Sequence, residues 1–315
     1  MLLFGNMNEA VPYFRGKHMK SREYRLVQII AHTVLTLGSL LVFLPFLLLI
    51  IASLTDNSWA MANGFSFFPE KLSIDAYKYI WGQHALIGHA YLMTFVVTIL
   101  GTGFSLIVTT LFAYAICQDE IPVMRVLSFM TIFTMLFNGG LVATYYSYVN
   151  YFHVKNTIFA LLLPGLLMNA FNVILIRNYF KNGIPESLIE AAYLDGAGEF
   201  LVFARIVMPL SKPIVATIGL MTGLSYWNDW QNGLYYLTER GGSKYYTIQV
   251  ILNNINENIR ALQQNAMFLS GSNIKMPSTT IRMAIATVGI LPILIIYPFF
   301  QQYFVKGIML GGVKE

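Results

Sequence analysis

The sequence predicts an all-α integral membrane protein with six transmembrane helices, and three observations carry that reading. Hydrophobic residues make up 56% of the 315-residue chain and charged residues only 11%, against about 25% charged in an ordinary soluble domain. The apolar residues gather in six blocks, at about 26–54, 90–117, 126–148, 157–176, 213–236 and 281–304, each near the ~20 residues that cross a hydrocarbon core as helix. The formal charge of +5 is scattered between these blocks without a continuous basic face, which argues against nucleic acid as a partner, since its binders cluster their charge.

A basic arm, residues 1–25, carries Arg15, Lys17, Lys20, Arg22 and Arg25 ahead of the first block. With no convincing cleavage site it reads as an attached arm rather than a signal peptide. Residues 26–315 then form one transmembrane domain. Positive residues close to the spans favour the cytoplasm, and an even number of crossings returns the C-terminus to the side of the N-terminus. This topology puts 118–125 and 177–212 inside, and 55–89, 149–156 and 237–280 outside. Lys71, Lys78, Lys155, Arg240, Lys244, Arg260 and Lys275 weaken the bias, so orientation rests on the arm together with Arg177, Lys181, Arg205 and Lys212. Pro45, Pro164, Pro292 and Pro298 fall inside the blocks and read as kinks, which membrane helices tolerate when neighbours satisfy the freed carbonyls.

Catalytic patterns are missing from the sequence. There is no G-x-x-x-x-G-K-[ST], H-E-x-x-H or G-x-S-x-G, so hydrolysis of ATP by a phosphate loop is excluded. His18, His32, His84, His89 and His153 share no ligand spacing, and Cys117, the single cysteine, can form no intrachain disulfide. No cofactor or metal is expected on this chain.

The most patterned segment is the inner one from Ile184 to Gly198. Pro185 suits the first helical position, Glu186 and Glu190 sit in the early turns where the helix dipole favours carboxylates, and Gly196 can take the left-handed stop. Leu188, Ala191, Ala192 and Asp195 then share one face at i, i+3, i+4, i+7 spacing. A second short helix, about 199–207, is expected to end before Pro209. On these residues alone the pair is either an interfacial amphipathic element or a contact surface.

Glu190-Ala191-Ala192, Gly196 four residues on, and Ile206-Val207-Met208-Pro209 resemble the EAA loop of ABC-importer permeases, with Met208 where that family usually has Leu. Pro69, Ser73 and Tyr77, and the tail Lys306-Gly307 with Gly311-Gly312-Val313-Lys314, are similar to maltose-type permeases, and the likeness covers the chain from about Phe68 onward. Phe137-Asn138-Gly139-Gly140-Leu141, Asn156-Thr157, Leu163-Pro164-Gly165 and Trp227-Asn228-Asp229-Trp230 resemble the branch that imports oligosaccharides cut from complex polysaccharides, in which a smaller polar residue often stands at Asp229. The resemblance implies the type I importer permease fold with a cytoplasmic coupling helix. It implies that Glu186, Glu190, Ala191, Ala192, Asp195, Gly196, Ile206 and Pro209 meet an ATPase. It also implies a second homologous permease, two ATPase subunits that hold ATP and Mg, an extracytoplasmic sugar-binding protein, and a place in the lipid of a bacterial cytoplasmic membrane. Acidic oligosaccharides of the alginate or pectin kind are the implied cargo.

Asn138, Asn172, Trp227, Asn228, Asp229 and Trp230 are the expected substrate-path residues. Amides and aromatic faces suit sugars, although buried amides in membranes also bond helix to helix. Asp229, an ionisable residue within a span, is a functional candidate by default, while its place beside two Trp near the outer end equally suits an interfacial carboxylate. Gly219 and Gly223 mark close helix packing. Residues 237–280, rich in Asn and Gln from Asn253 to Asn273, are expected to be a long polar loop that meets an external partner. The alternative is a secondary transporter or channel for small polar solutes, which would call for more intramembrane charge than Asp229. A membrane enzyme would need a nucleophile–base or metal-ligand pair at helical spacing, which the spans lack.

Overall fold

In the computed structural model, which describes residues 21–265 and 279–310, the first apolar block is one helix, Ser21–Ser53 (α1). Arg22 and Arg25, expected in the arm, lie inside it, and residues 1–20 of the arm lie outside the described residues. α1 is apolar on every side and packs against the last helix, Thr279–Leu310. Leu35, Leu41 and Val42 remain 67%, 71% and 63% exposed, as befits a helix whose other faces meet hydrocarbon.

The connection after α1 winds into Asn57–Asn63 (α2) and Asp75–Gly82 (α3), with an isolated bridge between Thr55 and Leu72 in the segments that lead into them. Asp56 starts α2 by accepting a hydrogen bond from the Trp59 N–H at 3.0 Å, which satisfies one of the amides left over at a helix start. His84–Ala115 (α4) follows as one uninterrupted helix of 32 residues.

The third and fourth blocks differ from the continuous helices expected. Pro122–Leu136 (α5) stops at Phe137, and the chain restarts as Gly140–Tyr146 (α6) and a π turn over Ser147–Tyr151. Gly140 makes the break with φ +81°, and the Asn138 carboxamide oxygen accepts its N–H at 2.9 Å. Phe159–Leu162 (α7) stops at Pro164 and Gly165, the latter at φ +70°. Asn169 then caps Ala170–Gly183 (α8), accepting from the Phe171 N–H at 2.9 Å.

The segment after α8 forms Glu186–Leu194 (α9) and Glu199–Val202 (α10), continued by a π turn over Phe203–Val207 and by Met208–Leu210 (α11). Pro209 therefore lies within this limb rather than after it. The wide turn ends just ahead of the proline, which has no N–H to donate to a carbonyl of the preceding turn. After Ser211 the chain bends by 80° into Lys212–Asn228 (α12). That helix ends at Asn228, short of residue 236, and the fifth block finishes as a separate helix, Gln231–Tyr236 (α13).

The expected outer loop is largely helical: Glu239–Gly242 (α14), a 3-10 turn over Ser243–Tyr245, and Ile248–Asn265 (α15). Ile248, Val250 and Ile251 are buried, and Ile248 and Ile251 pack on Ile87, Ala90 and Ile285. Residues 266–278, including part of the Asn- and Gln-rich stretch, lie outside the described residues. The last helix (α16) carries Pro292 and Pro298.

α1 and α4 are each long and apolar enough to cross a membrane, and the limb of Glu199–Leu210 passes that test together with α12; Pro122–Leu136 and Thr279–Ile295 are shorter apolar helices. α4 and α12 form the central pair. Gly219 faces Leu106, where a Cβ would come within 3.2 Å of a methyl group, and Gly223 faces Thr102, so the small residues let the two backbones approach. Gly101 of α4 lies against the ring of Tyr226, whose hydroxyl donates to the Leu162 carbonyl at 2.8 Å.

Candidate functional site

Burial divides α9 into two sides. Ile189 and Ala192, with Ala197 beyond the turn, rest on a buried cluster that includes Ile116, Ile176, Phe180, Val202 and Phe203. Glu186, Glu190, Ala191 and Asp195 face outward, together with Leu188, Leu194 and Phe200 at 46%, 89% and 76% exposure. The expected face is therefore split. Ala191 belongs to the open surface, whereas Ala192 is the contact that lets α9 sit close to the core. Pro185 proves to be the cap, in extended conformation, and Glu186 the first helical residue.

The end of α9 is fixed by two backbone hydrogen bonds, from Ala197 N–H to the Ala192 carbonyl at 2.9 Å and from Gly196 N–H to the Tyr193 carbonyl at 3.0 Å. With Gly196 at φ +80°, this is the Schellman arrangement that terminates helices on a left-handed glycine. It aims the chain into α10. There Glu199 accepts from the Tyr114 hydroxyl at 2.8 Å, and the Tyr114 ring packs on Phe203 at 5.1 Å between centroids. The elbow between α9 and α10 is thus tied to the end of α4. Ile206 is half-buried in the π turn and Pro209 is exposed.

A second tie joins the turn after α4 to α8. Arg177 donates to the Asp119 carboxylate at 2.8 Å, and Lys181 donates to its other oxygen. The hydrogen bond from Lys181, opposed by slight desolvation and supported by Arg177, holds the Asp119 carboxyl below the usual carboxylate range. Arg177 also donates to the Ile116 carbonyl at 3.0 Å, closing the end of α4.

At the far end of α12 the expected path residues separate. Trp227 is buried, 4% exposed, with its ring edge-on to Phe95 and its indole N–H donating to the Gly289 carbonyl at 3.4 Å. It also lines a cavity of about 430 Å³ with Thr98, Thr102, Gly219 and Gly223. Asn228 is exposed and accepts from Gln249 of α15 at 3.5 Å. Asp229 caps the helix end and accepts from the Asn232 N–H at 3.2 Å, while the Asn232 amide donates to the Pro164 carbonyl at 3.0 Å. Trp230 is partly exposed, and Asn172 reaches Thr222 of α12 at 3.4 Å. Asn138, in the break before α6, has no hydrogen bond to any of these.

Arg282 is a charged residue that the sequence reading passed over, although it falls within the sixth block and the rule that singles out Asp229 covers it equally. It donates to the Asn256 side chain at 3.4 Å, and its Nε is buried without an acceptor.

The comparisons with known proteins agree with this architecture. Residues 121–310 match the family described as the inner membrane component of binding-protein-dependent transport systems. The chain belongs to that family. Members similar to it over most of its length include the Bacillus subtilis polygalacturonan/rhamnogalacturonan transport system permease protein YtcP, 36% identical over 290 residues, which covers 92% of this chain and 99% of YtcP. The B. subtilis protein LplC is 34% identical and covers 86% of this chain and 89% of its own length. Among solved structures, a chain of a bacterial ABC transporter involved in the import of the acidic polysaccharide alginate superposes with a TM-score of 0.73 at 30% identity, covering 91% of this chain and 99% of that one. As an inner membrane transport component of this family, the chain is a permease, and its work is passage rather than catalysis. The matched region holds α5 to α16 and with them the whole elbow between α8 and α12.

Proposed function

We propose that the chain is one of two permease halves of an ATP-driven importer for oligosaccharides released from acidic polysaccharides. The observation that carries the energising part of this reading is the outward side of α9 and α10. Leu188, Ala191, Leu194 and Phe200 form an exposed apolar surface on an elbow whose other side is fixed to the core, the form a rigid element takes when a partner seats on it. An ATPase subunit docks there, contacting Glu186, Glu190, Ala191, Asp195 and the Gly196 turn. Ala192, Ile206 and Pro209 hold the elbow's shape. ATP and Mg stay on two such subunits. The names of the relatives, for polygalacturonan and rhamnogalacturonan and for alginate, support a uronate-rich cargo.

In this reading the chain crosses the membrane six times, with both ends in the bacterial cytoplasm. The crossings are α1, α4, α5 with α6, α7 with α8, α12 with α13, and α16, behind an arm at residues 1–25. Residues 177–212 face inward to the ATPase, and 237–280 face outward to an extracytoplasmic sugar-binding protein. A second homologous permease completes the path, on which Asn138, Asn172, Trp227, Asn228, Asp229 and Trp230 lie.

The test is reconstitution of the full complex in proteoliposomes with oligogalacturonides as cargo. ATP-dependent uptake that requires the binding protein is the expected result. Uptake of neutral oligosaccharides alone would overturn the cargo, and a complex that purifies without any ATPase would overturn the function. Topology is checked separately in a Cys117→Ala background: a membrane-impermeant thiol reagent should label Lys244→Cys in intact cells and leave Ser187→Cys unlabelled.

A further inference from the structure

Between the start of α4 and the face of α15 lies an open groove of about 330 Å³ that no step above uses. Its floor is apolar, from the cluster that joins Ile87, Ile251 and Ile285. Its walls carry the rings of Tyr79 and Tyr246, the carboxamides of Gln83, Asn254 and Asn258, and the hydroxyl of Ser243. Asn254 and Asn258 are one turn apart and so project on the same side of α15.

Two properties narrow what fits there. Among the described residues, the side chains of Gln83, Ser243, Asn254 and Asn258 make no hydrogen bond within the protein, so three amides and a hydroxyl converge with their donors and acceptors unused. The lining residues include no acid or base, so the groove offers hydrogen bonds and ring faces rather than charge. Ligand sites combine an apolar floor with a few convergent polar groups, and this volume lies at the small end of their ~300–1,000 Å³ range. A lipid chain would leave the amides desolvated and unpaired, which is unfavourable for each such group. A pyranose matches both features, because its axial C–H face suits an aromatic ring and its hydroxyl edge takes both donors and acceptors.

Position gives the groove a role. α4 starts at His84 beside the groove and ends at Ala115 beside the elbow, where Tyr114 holds Glu199. A helix of 32 residues spans about 48 Å, more than a bilayer core, so groove and elbow lie on opposite sides of the membrane.

We infer that this groove is an outer entry subsite that holds one terminal sugar unit of the oligosaccharide, through its hydroxyls and ring face, before the unit reaches the membrane path. The inference rests on the proposed function and deepens it. It assigns to Asn254, Asn258, Gln83, Tyr79 and Tyr246 contact with sugar, where the uronate carboxyl groups of the cargo are recognised elsewhere.

The test uses the complete transporter in nanodiscs, without its binding protein, carrying an environment-sensitive fluorophore on Lys244→Cys, beside the groove, in a Cys117→Ala background. Trigalacturonate and its carboxyl-reduced, neutral counterpart should each shift the emission saturably, with affinities within about threefold of one another. The pair Asn254→Leu and Asn258→Leu should abolish the shift, and in proteoliposomes it should raise the KM for trigalacturonate uptake at least tenfold. No saturable shift with either sugar, or the same shift in the double variant, would overturn the inference. A shift with trigalacturonate alone would overturn the neutral reading of the groove. Failure of the wild-type complex to take up any oligosaccharide would defeat the proposed function and this inference with it. Normal wild-type uptake with an unchanged KM in the double variant would defeat the inference alone.

Discussion

Gly196 offers a perturbation in which the backbone term stands almost alone. Its φ is +80°, and a Cβ built on it meets no atom within 4 Å, so a substituted side chain has space and only the left-handed backbone resists it. That conformation costs an L-residue about 1–2 kcal/mol relative to glycine, with Asn tolerated best and β-branched residues worst. At about 1.4 kcal/mol per tenfold, the elbow between α9 and α10 should lose roughly 5- to 30-fold in the ratio of formed to unformed turn. The two hydrogen bonds from Gly196 and Ala197 N–H are lost in the unformed state. A series of Gly196→Asn, Gly196→Ala and Gly196→Val should therefore show a graded fall, with Asn near wild type and Val lowest. The assay is the amount of ATPase retained on the purified complex, together with ATP turnover stimulated by sugar-loaded binding protein. Equal retention and turnover for Val and wild type would refute the argument, as would an Asn variant as weak as Val.

Ala191→Trp should reduce ATPase retention while leaving the thermal unfolding of the isolated permease within a degree or two of wild type. Ala192→Trp should instead lower that unfolding temperature, since it overpacks the cluster beneath α9 by about 1–3 kcal/mol; the opposite assignment of the two effects would show that α9 sits the other way round. Gly101→Ala places a Cβ 2.5 Å from the Tyr226 ring, and the hydroxyl bond to Leu162 keeps that ring from swinging aside. Unfolding in detergent should shift downward, and Tyr226→Leu added to Gly101→Ala should recover most of the Gly101→Ala loss in a double-mutant cycle. Asp119→Asn should lower stability at pH 7 by no more than about 1 kcal/mol, because the carboxylate is half exposed and solvent screens the pairs. The depressed folded-state pKa makes this contribution full above the unfolded value of about 3.9 and lost as pH falls through the folded value. Wild type and variant should therefore converge in strong acid, and a gap that widens there would refute the pairing.

Sequence reasoning reached the elbow more closely than it reached the spans. Capping chemistry is local, so Glu186, Glu190 and Gly196 could be placed from neighbours in the chain, and the left-handed turn is found at Gly196. Which face of α9 turns inward depends on Phe180 and Val202 across a tertiary contact, and the small-residue stripe alone did not separate Ala191 from Ala192. Hydropathy is blind to backbone breaks, so the blocks around Asn138 and Pro164 looked continuous although Gly140 and Gly165 interrupt them. The signal for α15 was present but outweighed by composition. Ile248, Ile251 and Ile255 recur at helical spacing, while the surrounding Asn and Gln suggested a loop. Arg282 was missed because an arginine at the edge of a block is easily counted as a flank, whereas its Nε is buried.

The 80° bend at Ser211 has a mechanical consequence. The limb from Glu199 to Leu210 is a crank arm set across the shaft of α12, and 12 residues of helix give it a length of about 18 Å. A turn of α12 by about 10° would sweep the end of that arm through about 3 Å, as far as side-chain contacts reach. The tyrosine that grips Glu199 from α4 ties the moving end to a second shaft, so rotation of one helix against the other would be converted into travel at the elbow, the face proposed for the ATPase. A straight helix in place of this bent pair would spin in place and deliver no such stroke.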